Sequence, residues 1–437
     1  MMRPWRKLPL ARGLSGLAVL TVLCRLAAQD PAEAEQQHLG RLLAEAGNST
    51  PDYVRALEAH LAKYPKSSQR AEIERSLVKT AVETKDDRRL LRYGPAVLVR
   101  EGDQAELLER LALVLLRRDD RQSAEIAWNY GRRLADIARA TRWSEAPAAR
   151  LRSKLRQDHD RALGKALVYQ SRAAGNLDRR EEAVALARQS YQVFPSGESA
   201  REIARWLERL GRTEEALAPL ADAFTIPDEE NTDVRRAEDR VRLGEWYRRR
   251  HESETGLGGL VLAAWDRTAR RIVERRAEMR RIDPNFAVTD PMEFTLSGPD
   301  GESLALASVR GRILVLDFWA TWCGPCRAQQ PLYEQVKERF RNHPEILFLN
   351  VSTDQSREVV KPFLEQNGWS KTVWFDDGLA ALLHVASIPT TIVFNSRAEV
   401  VSRMNGFLPD RFADMLSERI EQALADAGPP TPANKTP

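Results

Sequence analysis

Apolar residues recur at helical spacing from about residue 32 to residue 282. This stretch is rich in Ala, Leu, Arg and Glu, and short turns with Gly or Pro interrupt it. Apolar positions three and four residues apart are typical of amphipathic helices, whereas the strict alternation of a half-buried strand is nearly absent. We therefore predict that residues 32–282 form a helical region.

A short motif repeats within this helical region. The triplet Glu-Glu-Ala at 181–183 recurs at 214–216, 33 residues later, and each copy follows a glycine that would end the preceding helix. The interval resembles that of tetratricopeptide repeats, which are helix pairs stacked into a solenoid with a concave binding surface. We expect tetratricopeptide-like pairs and a protein partner bound to them. The alternative is an irregular helical domain without true repeats.

The pattern changes after residue 282. Residues 283–292 contain two prolines and several Asn or Asp residues without periodic apolar positions, which indicates a linker. Beyond it, strand-like runs alternate with helical stretches, as in an α/β sheet covered by helices. The predicted strands are Ile313–Trp319, Ile346–Val351, Thr372–Phe375 and Thr391–Phe394, and the predicted helices are Cys326–Arg341, Arg357–Asn367, Leu379–His384 and Pro409–Leu424. We predict an α/β domain over residues 293–427 and a disordered, proline-rich tail over 428–437.

The first 28 residues have the order of a secretory signal peptide. Basic residues precede an apolar run at 14–24, and two small residues, Ala27 and Ala28, follow it. The run is shorter than the ~20 residues of a membrane-spanning helix. We therefore predict a cleaved leader and an extracytoplasmic location, in the periplasm or cell envelope. The alternatives are a leader retained as a membrane anchor and lipid attachment at Cys24.

Charge gives little sign of a polyanionic partner. Among 437 residues, 67 Lys and Arg balance 63 Asp and Glu, and the two signs are interleaved along the chain. Nucleic-acid binding needs basic residues gathered on one face. We therefore expect no nucleic-acid partner.

Removal of the leader leaves two cysteines, Cys323 and Cys326. One closely spaced pair in a secreted protein favours redox chemistry over a framework of structural disulfides. The pair follows a continuous apolar strand and opens a helix, where unpaired backbone N–H groups and the helix dipole favour a thiolate. We expect Cys323 to attack a partner disulfide, and Cys326, the more buried of the two, to resolve the mixed disulfide. A zinc site would have to recruit distant histidines, so we predict no bound metal.

The residues around this pair resemble a known family. Residues 318–327, followed by Pro331, are similar to the active-site segment of thioredoxin-like proteins, and especially to the extracytoplasmic TlpA/ResA group of disulfide reductases. Ile-Pro-Thr at 388–390 resembles the cis-proline loop of that family, and Gly406 matches a late family glycine. The resemblance covers about residues 294–424. It implies a thioredoxin-fold domain after the helical region.

The resemblance also implies roles for individual residues. The redox-active disulfide Cys323–Cys326 would serve without a further cofactor, and the residues that contact substrate would be Trp322, Gly324, Pro325, Ile388 and Pro389. Asp317, six residues before Cys323, would have a raised pKa and accept the proton of Cys326 as a general base. The lysine that pairs with this aspartate in thioredoxins corresponds to Phe348, so the resemblance carries no ion pair over to Asp317.

These observations predict an extracytoplasmic thiol-disulfide oxidoreductase. The Gly-Pro pair between the cysteines resembles the reducing members of the family. The expected substrates are disulfide-containing secreted or envelope proteins, and the family suggests a membrane thiol donor. Two alternatives stay open. One is a peroxiredoxin-like antioxidant, which shares the fold but whose peroxidatic pattern is not evident near Cys323. The other is a helical-repeat scaffold protein with an accessory redox domain.

Overall fold

The computed structural model describes residues 31–426 except residues 119, 147, 229 and 370. The predicted signal peptide and the predicted tail lie outside the described residues. The chain divides into two compact units, Met1–Arg133 and Leu134–Pro437. The boundaries predicted for the individual domains stay a prediction. Among the described residues, no helix has the length and apolar character needed to cross a membrane.

The described part of the first unit is built from helices. Their bounds are α1 Pro31–Ala46, α2 Thr50–Lys63, α3 Arg70–Thr84, α4 Asp87–Glu101, α5 Ala105–Leu116 and α6 Arg121–Arg139, the last of which runs past the unit boundary. Side-chain caps begin three of them: Ser49 accepts from the backbone N–H of Asp52, Asp86 from that of Arg89, and Asp120 from that of Ser123. Consecutive helices from α1 to α5 pack against each other and bury their leucine, valine and alanine faces.

The second unit begins with further helices. They are α7 Ala149–Asn176, α8 Arg180–Val193, α9 Gly197–Arg209, α10 Thr213–Thr225, α11 Asp233–His251 and α12 Leu257–Ile282. Each helix from α7 to α10 packs against the next one, whereas α12 packs against α10. Small residues allow close contact: a Cβ added at Gly175 on α7 would overlap the fully buried indole of Trp206 on α9. The prediction of a helical region before an α/β domain is confirmed.

Residues 283–292, predicted as a linker, are hydrogen-bonded to α7 at one end and to Thr295, at the start of the sheet, at the other. Ser153 on α7 donates a hydrogen bond from Oγ to Oδ2 of the buried Asp283 at 2.9 Å. The amide side chain of Asn285 bonds both backbone groups of Thr295, at 2.8 and 2.7 Å. Asn285 thus satisfies the backbone N–H and C=O groups of Thr295 where the chain enters the sheet.

The sheet of the second unit has seven strands in the order β2-β1-β5-β4-β3-β6-β7. The strands are β1 Thr295–Ser297, β2 Ser303–Ala305, β3 Ile313–Trp319, β4 Ile346–Ser352, β5 Val373–Phe375, β6 Thr390–Phe394 and β7 Val400–Asn405. The helices among them are α13 Gly324–Arg339, α14 Val360–Gln366, α15 Leu379–Leu382 and α16 Phe412–Asp426. β3 pairs in parallel with β4 and antiparallel with β6, so it lies inside the sheet.

β3 is buried on both faces along its whole length. Leu314, Leu316 and Phe318 join one apolar core, while Ile313 and Val315 join the opposite core under α13 and α16. Side chains alternate along a strand, so Asp317 belongs to the face covered by α13. The carboxylate is therefore placed beneath the helix that carries the cysteines.

Candidate active site

The two cysteines form a disulfide at the start of α13. The Sγ atoms are 2.01 Å apart and the Cα atoms 5.2 Å apart. Cys323 is the N-cap of the helix, and the backbone N–H of Cys326 donates to Sγ of Cys323 over 3.2 Å. In the reduced protein the same N–H and the helix N-terminus would stabilise a Cys323 thiolate.

Burial does not distinguish the two cysteines. Cys323 is 4% exposed and Cys326 is 5% exposed, so the expectation that Cys326 is the more buried is wrong. The reason is a shared apolar cluster that contains both cysteines together with Trp319, Ala320, Val360, Val373 and Phe375.

Exposed residues surround the buried sulfurs. Trp322 is 71% exposed, and Gly324 and Pro325 are also exposed. The Ile388–Pro389 peptide bond is cis, and Ile388 packs against the cluster that holds the cysteines. The structure thus brings the residues predicted to contact substrate to one surface around the disulfide, although Pro389 itself is buried.

Asp317 lies buried beneath this surface, at 3% exposure. Its Oδ1 accepts hydrogen bonds from Nε2 of Gln329 at 2.8 Å and from Oγ1 of Thr391 at 3.0 Å. Burial raises the pKa of Asp317 to about 6, against the opposing effects of Lys371 and of these two hydrogen bonds. A carboxylate with this pKa can exchange protons near neutral pH, as a general base must.

Lys371 is a charged neighbour that the sequence did not reveal. Its ammonium lies 3.7 Å from the ring centre of Trp319 and donates to Oε1 of Gln330 at 2.6 Å. Burial lowers the pKa of this lysine to about 8. Phe348 does occupy β4 near Asp317, where it packs edge-on against Tyr333 with ring centres 5.7 Å apart. In the sequence, the indication of this neighbour was a lysine two residues before the short apolar strand that begins at Val373.

Asp354 holds the loop that leads from β3 to the cysteines. Its carboxylate accepts the backbone N–H of Thr321 at 3.0 Å and the Thr321 hydroxyl at 2.8 Å. Ser352 donates to the same carboxylate at 2.9 Å. These bonds fix the residue two positions before Cys323, and the Ser-Thr-Asp sequence at the end of β4 was the clue to them.

The described residues contain no group of three or more His, Cys, Asp or Glu side chains that could hold a metal ion. His343, one of the histidines considered as a zinc ligand, bonds Glu345 at 2.9 Å.

Residues 288–403 match the sequence model of the AhpC/TSA family. The C-terminal domain is a thioredoxin-like domain. The chain is 26% identical over 132 residues to the thiol-disulfide oxidoreductase ResA of Halalkalibacterium halodurans, a match that spans 30% of this chain and 74% of that protein. It is 28% identical over 110 residues to the thioredoxin-like protein YneN of Bacillus subtilis, spanning 25% of this chain and 65% of that protein.

Among solved structures, the chain is similar to a putative thiol:disulfide interchange protein DsbE from Chlorobium tepidum. The sequence identity is 30%, the match covers 30% of this chain and 92% of the other, and the TM-score is 0.28. The family match and the relatives' sequences confirm the prediction of a thioredoxin-like protein-disulfide oxidoreductase of the ResA type. The thioredoxin-like domain accounts for the chemistry, and the helical region precedes it.

Proposed function

We propose that the protein is an extracytoplasmic disulfide reductase that works through a mixed disulfide on Cys323. The observation that carries this proposal is the disulfide at the N-terminus of α13, with a buried carboxylate beneath it and exposed Trp322, Gly324 and Pro325 around it. The extracytoplasmic location rests on the leader-like order of residues 1–28.

Reduction of a substrate disulfide starts from the dithiol form. The thiolate of Cys323 attacks one substrate sulfur, the substrate S–S bond breaks, and the first substrate thiolate takes a proton from solvent. Cys326 then gives its proton to Asp317 and attacks Sγ of Cys323. The second substrate thiolate leaves and takes up that proton. Two electrons pass from the enzyme dithiol to the substrate disulfide.

Each turnover leaves the Cys323–Cys326 pair oxidised. A thiol donor must therefore return two electrons before the next cycle. Outside the cytoplasm the soluble thiol systems of the cell interior do not maintain reduced cysteines. We infer a membrane thiol donor for this step, and disulfide-containing secreted or envelope proteins as substrates.

We propose that the helical region binds a protein partner through tetratricopeptide-like repeats. In support, ion pairs recur between residues 30 or 31 positions apart. They join Arg89 to Glu58, Arg117 to Asp87, Arg172 to Glu202 and Arg212 to Glu181. A regular interval of this length is expected when successive helix pairs stack in the same way.

Serine substitutions test the redox proposal. Cys323→Ser should abolish reduction of a protein disulfide, whereas Cys326→Ser should accumulate mixed disulfides that mass spectrometry can identify. Cys24→Ser, in the leader, is the matched control and should leave the activity of the purified protein unchanged. Full turnover by both Cys323→Ser and Cys326→Ser would remove the catalytic assignment.

Two further measurements separate the alternatives. The reduction potential of the disulfide should be about −270 mV, as in thioredoxin. A value of about −120 mV would show that the protein is a disulfide oxidant. The AhpC/TSA match also makes a peroxidase worth testing. Rapid consumption of hydrogen peroxide with a regenerating thiol would favour that second function.

Partner binding can be tested in the intact chain. The mixed disulfides trapped by Cys326→Ser are treated with a lysine-reactive cross-linker, and the linked residues are mapped. Cross-links from the captured protein to the helices before residue 283 would support a partner surface there. Cross-links confined to residues 283–426 would contradict it.

A further inference from the structure

Two side chains of opposite charge lie buried beside the disulfide. Asp317 is 3% exposed and Lys371 is 8% exposed. Asp317 pairs with Asn350 on β4, and Asn350 pairs with Val373 on β5. Val373 therefore shares a face of the sheet with Asp317, and Lys371 lies in the loop two residues before it, where it contacts Trp319 of β3. The lysine thus approaches from two strands away.

Aromatic rings and one amide hold the Lys371 ammonium in place. Nζ lies 3.7 Å from the ring centre of Trp319 and 4.7 Å from that of Trp369, and it donates to Oε1 of Gln330 at 2.6 Å. Ring faces and an amide oxygen stabilise a buried cation. Trp319 belongs to the apolar cluster that contains both cysteines. The positive charge is therefore fixed next to the redox centre.

The other charged groups around Asp317 and Lys371 come from α13. Gln330 donates to Oε1 of Glu334 at 2.8 Å, and Lys337 lies 3.4 Å from Oε2 of the same residue. The charges of Asp317 and Glu334 raise the pKa of Lys371, while burial and Lys337 lower it.

The same neighbours act on Asp317. Burial raises its pKa most, Glu334 raises it further, and the positive charge of Lys371 is the largest opposing effect. Tyr333 also lies within electrostatic reach, since the charge of Asp317 raises the pKa of the buried Tyr333 hydroxyl. The ionised form of Asp317 is therefore favoured mainly by one cation, Lys371.

We propose that Lys371 is the cationic partner of Asp317 and keeps this carboxylate ionised, ready to accept the proton of Cys326. Lys371 acts through Asp317, so it is a positioning residue. The inference rests on the proposed function, because it assigns a task within that reaction. Phe348 fills the position of the thioredoxin lysine, and here the charge comes instead from the loop before β5.

A direct test measures the Asp317 carboxyl in the oxidised full-length protein. Aspartate carboxyl carbons are labelled with ¹³C, and Asp317→Asn identifies the signal to follow by NMR titration. Lys371→Met should raise the pKa of Asp317 by about one unit or more, because the variant removes the largest effect that opposes burial of this carboxyl. Lys337→Met, which removes a half-buried lysine that pairs with Glu334, is the matched control and should leave the titration in place.

A second readout is the pH profile of single-turnover disulfide reduction. With Lys371→Met, the rate at pH 6 should fall about fivefold, because a pKa rise from about 6 to about 7 lowers the ionised fraction of Asp317 from about a half to about a tenth. At pH 9 the rates of variant and native protein should converge. A merely structural lysine would lower the rate equally at both pH values, and that result would overturn the proposal.

Two further variants distinguish the loss of the positive charge from misfolding of the protein. Lys371→Gln keeps a hydrogen-bond donor for Gln330 without the charge, and should reproduce the shift of Lys371→Met. Lys371→Arg keeps the charge, and should restore a profile close to that of the native protein. An Asp317 titration that stays in place in both neutral variants contradicts the inference, even if the Cys323→Ser result supports the reductase. Conversely, activity of Cys323→Ser would remove the proposed reaction, and the titration would still decide whether Lys371 is the partner of Asp317.

Discussion

Gln329 on α13 donates a hydrogen bond from Nε2 to Oδ1 of Asp317 on β3 across 2.8 Å. The bond joins the helix that begins at the disulfide to the strand that leads into it. Thr391 on β6 donates to the same oxygen at 3.0 Å. Both donors stabilise the ionised carboxylate, so the proton equilibrium of Asp317 depends on how these three elements pack.

Loss of the Gln329 donor should raise the pKa of Asp317. In Gln329→Leu we expect a rise of at most about one unit, since one hydrogen bond to a charged group contributes about 1.5 kcal/mol. The acidic limb of the pH–rate profile should move to higher pH by the same amount. Gln335→Leu, at an exposed position of the same helix, is the control. An equal displacement in both variants would show that the hydrogen bond is not the cause.

The raised pKa of Asp317 predicts a specific pH dependence of stability. Its folded pKa of about 6 lies above the ordinary 3.8, so between these values the folded state binds more protons than the unfolded state. Stability attributable to this group therefore falls as pH rises from about 4 through about 6. Asp317→Asn should make the oxidised protein more stable at pH 8 by up to about 3 kcal/mol, and by little at pH 4.

Chemical denaturation at pH 4 and pH 8, followed by tryptophan fluorescence, measures this difference. Asp410→Asn, an exposed aspartate in the same domain, is the matched control and should show no such pH dependence. A stabilisation by Asp317→Asn that is the same at both pH values would argue against a buried ionised carboxylate.

Asp354 should stabilise the loop before the cysteines. Asp354→Ala removes the acceptor for the backbone N–H and hydroxyl of Thr321, and we expect a loss of about 2 kcal/mol in the free energy of unfolding. Hydrogen exchange at the Thr321 amide should accelerate in the variant. Glu358→Ala, at a nearby exposed site, controls for the loss of a negative charge. Unchanged protection of Thr321 would contradict the prediction.

Gly175 should tolerate no side chain. An added Cβ would overlap the buried Trp206 ring, so Gly175→Ala should lower the free energy of unfolding of the helices by about 1–3 kcal/mol. Gly244→Ala on α11 is the matched control, because no atom lies within 4 Å of its added Cβ. The control should stabilise its helix by up to about 1 kcal/mol. Thermal unfolding monitored by circular dichroism compares the two, and the same sign for both would count against this packing.

The strands that the sequence predicted are those with the strongest local signal. β3 and β4 are continuous apolar runs because both faces of the sheet are covered, and they were located within one residue. β1 and β2 are only three residues long, and the edge strand β7 carries polar side chains such as Ser402 and Arg403, so their pattern does not stand out. Short and edge strands are defined by their partners rather than by their own composition.

The residues of the candidate site also differ in how far the sequence could predict them. Cys323, Cys326 and Asp317 lie along one strand–helix segment, and the family resemblance of that segment pointed to Asp317 beside the cysteines. Lys371 is far from Asp317 in sequence, and the order β5-β4-β3 brings the loop before β5 to Trp319, two residues beyond Asp317 on β3. The equal burial of the cysteines also depends on side chains from α14 and β5, among them Val360 and Phe375. Contacts of this kind follow from topology, which a local pattern does not contain.

The arginine–carboxylate pairs at intervals of 30 or 31 residues constrain where the helices can change in length. Glu58 on α2 pairs with Arg89 on α4, and Arg172 on α7 pairs with Glu202 on α9, so each of these pairs joins helices that are two apart along the chain. Insertion of one residue within such a helix would turn the following charge by about 100° about the helix axis and away from its partner. Insertions should therefore be tolerated in the loops between these helices rather than inside them.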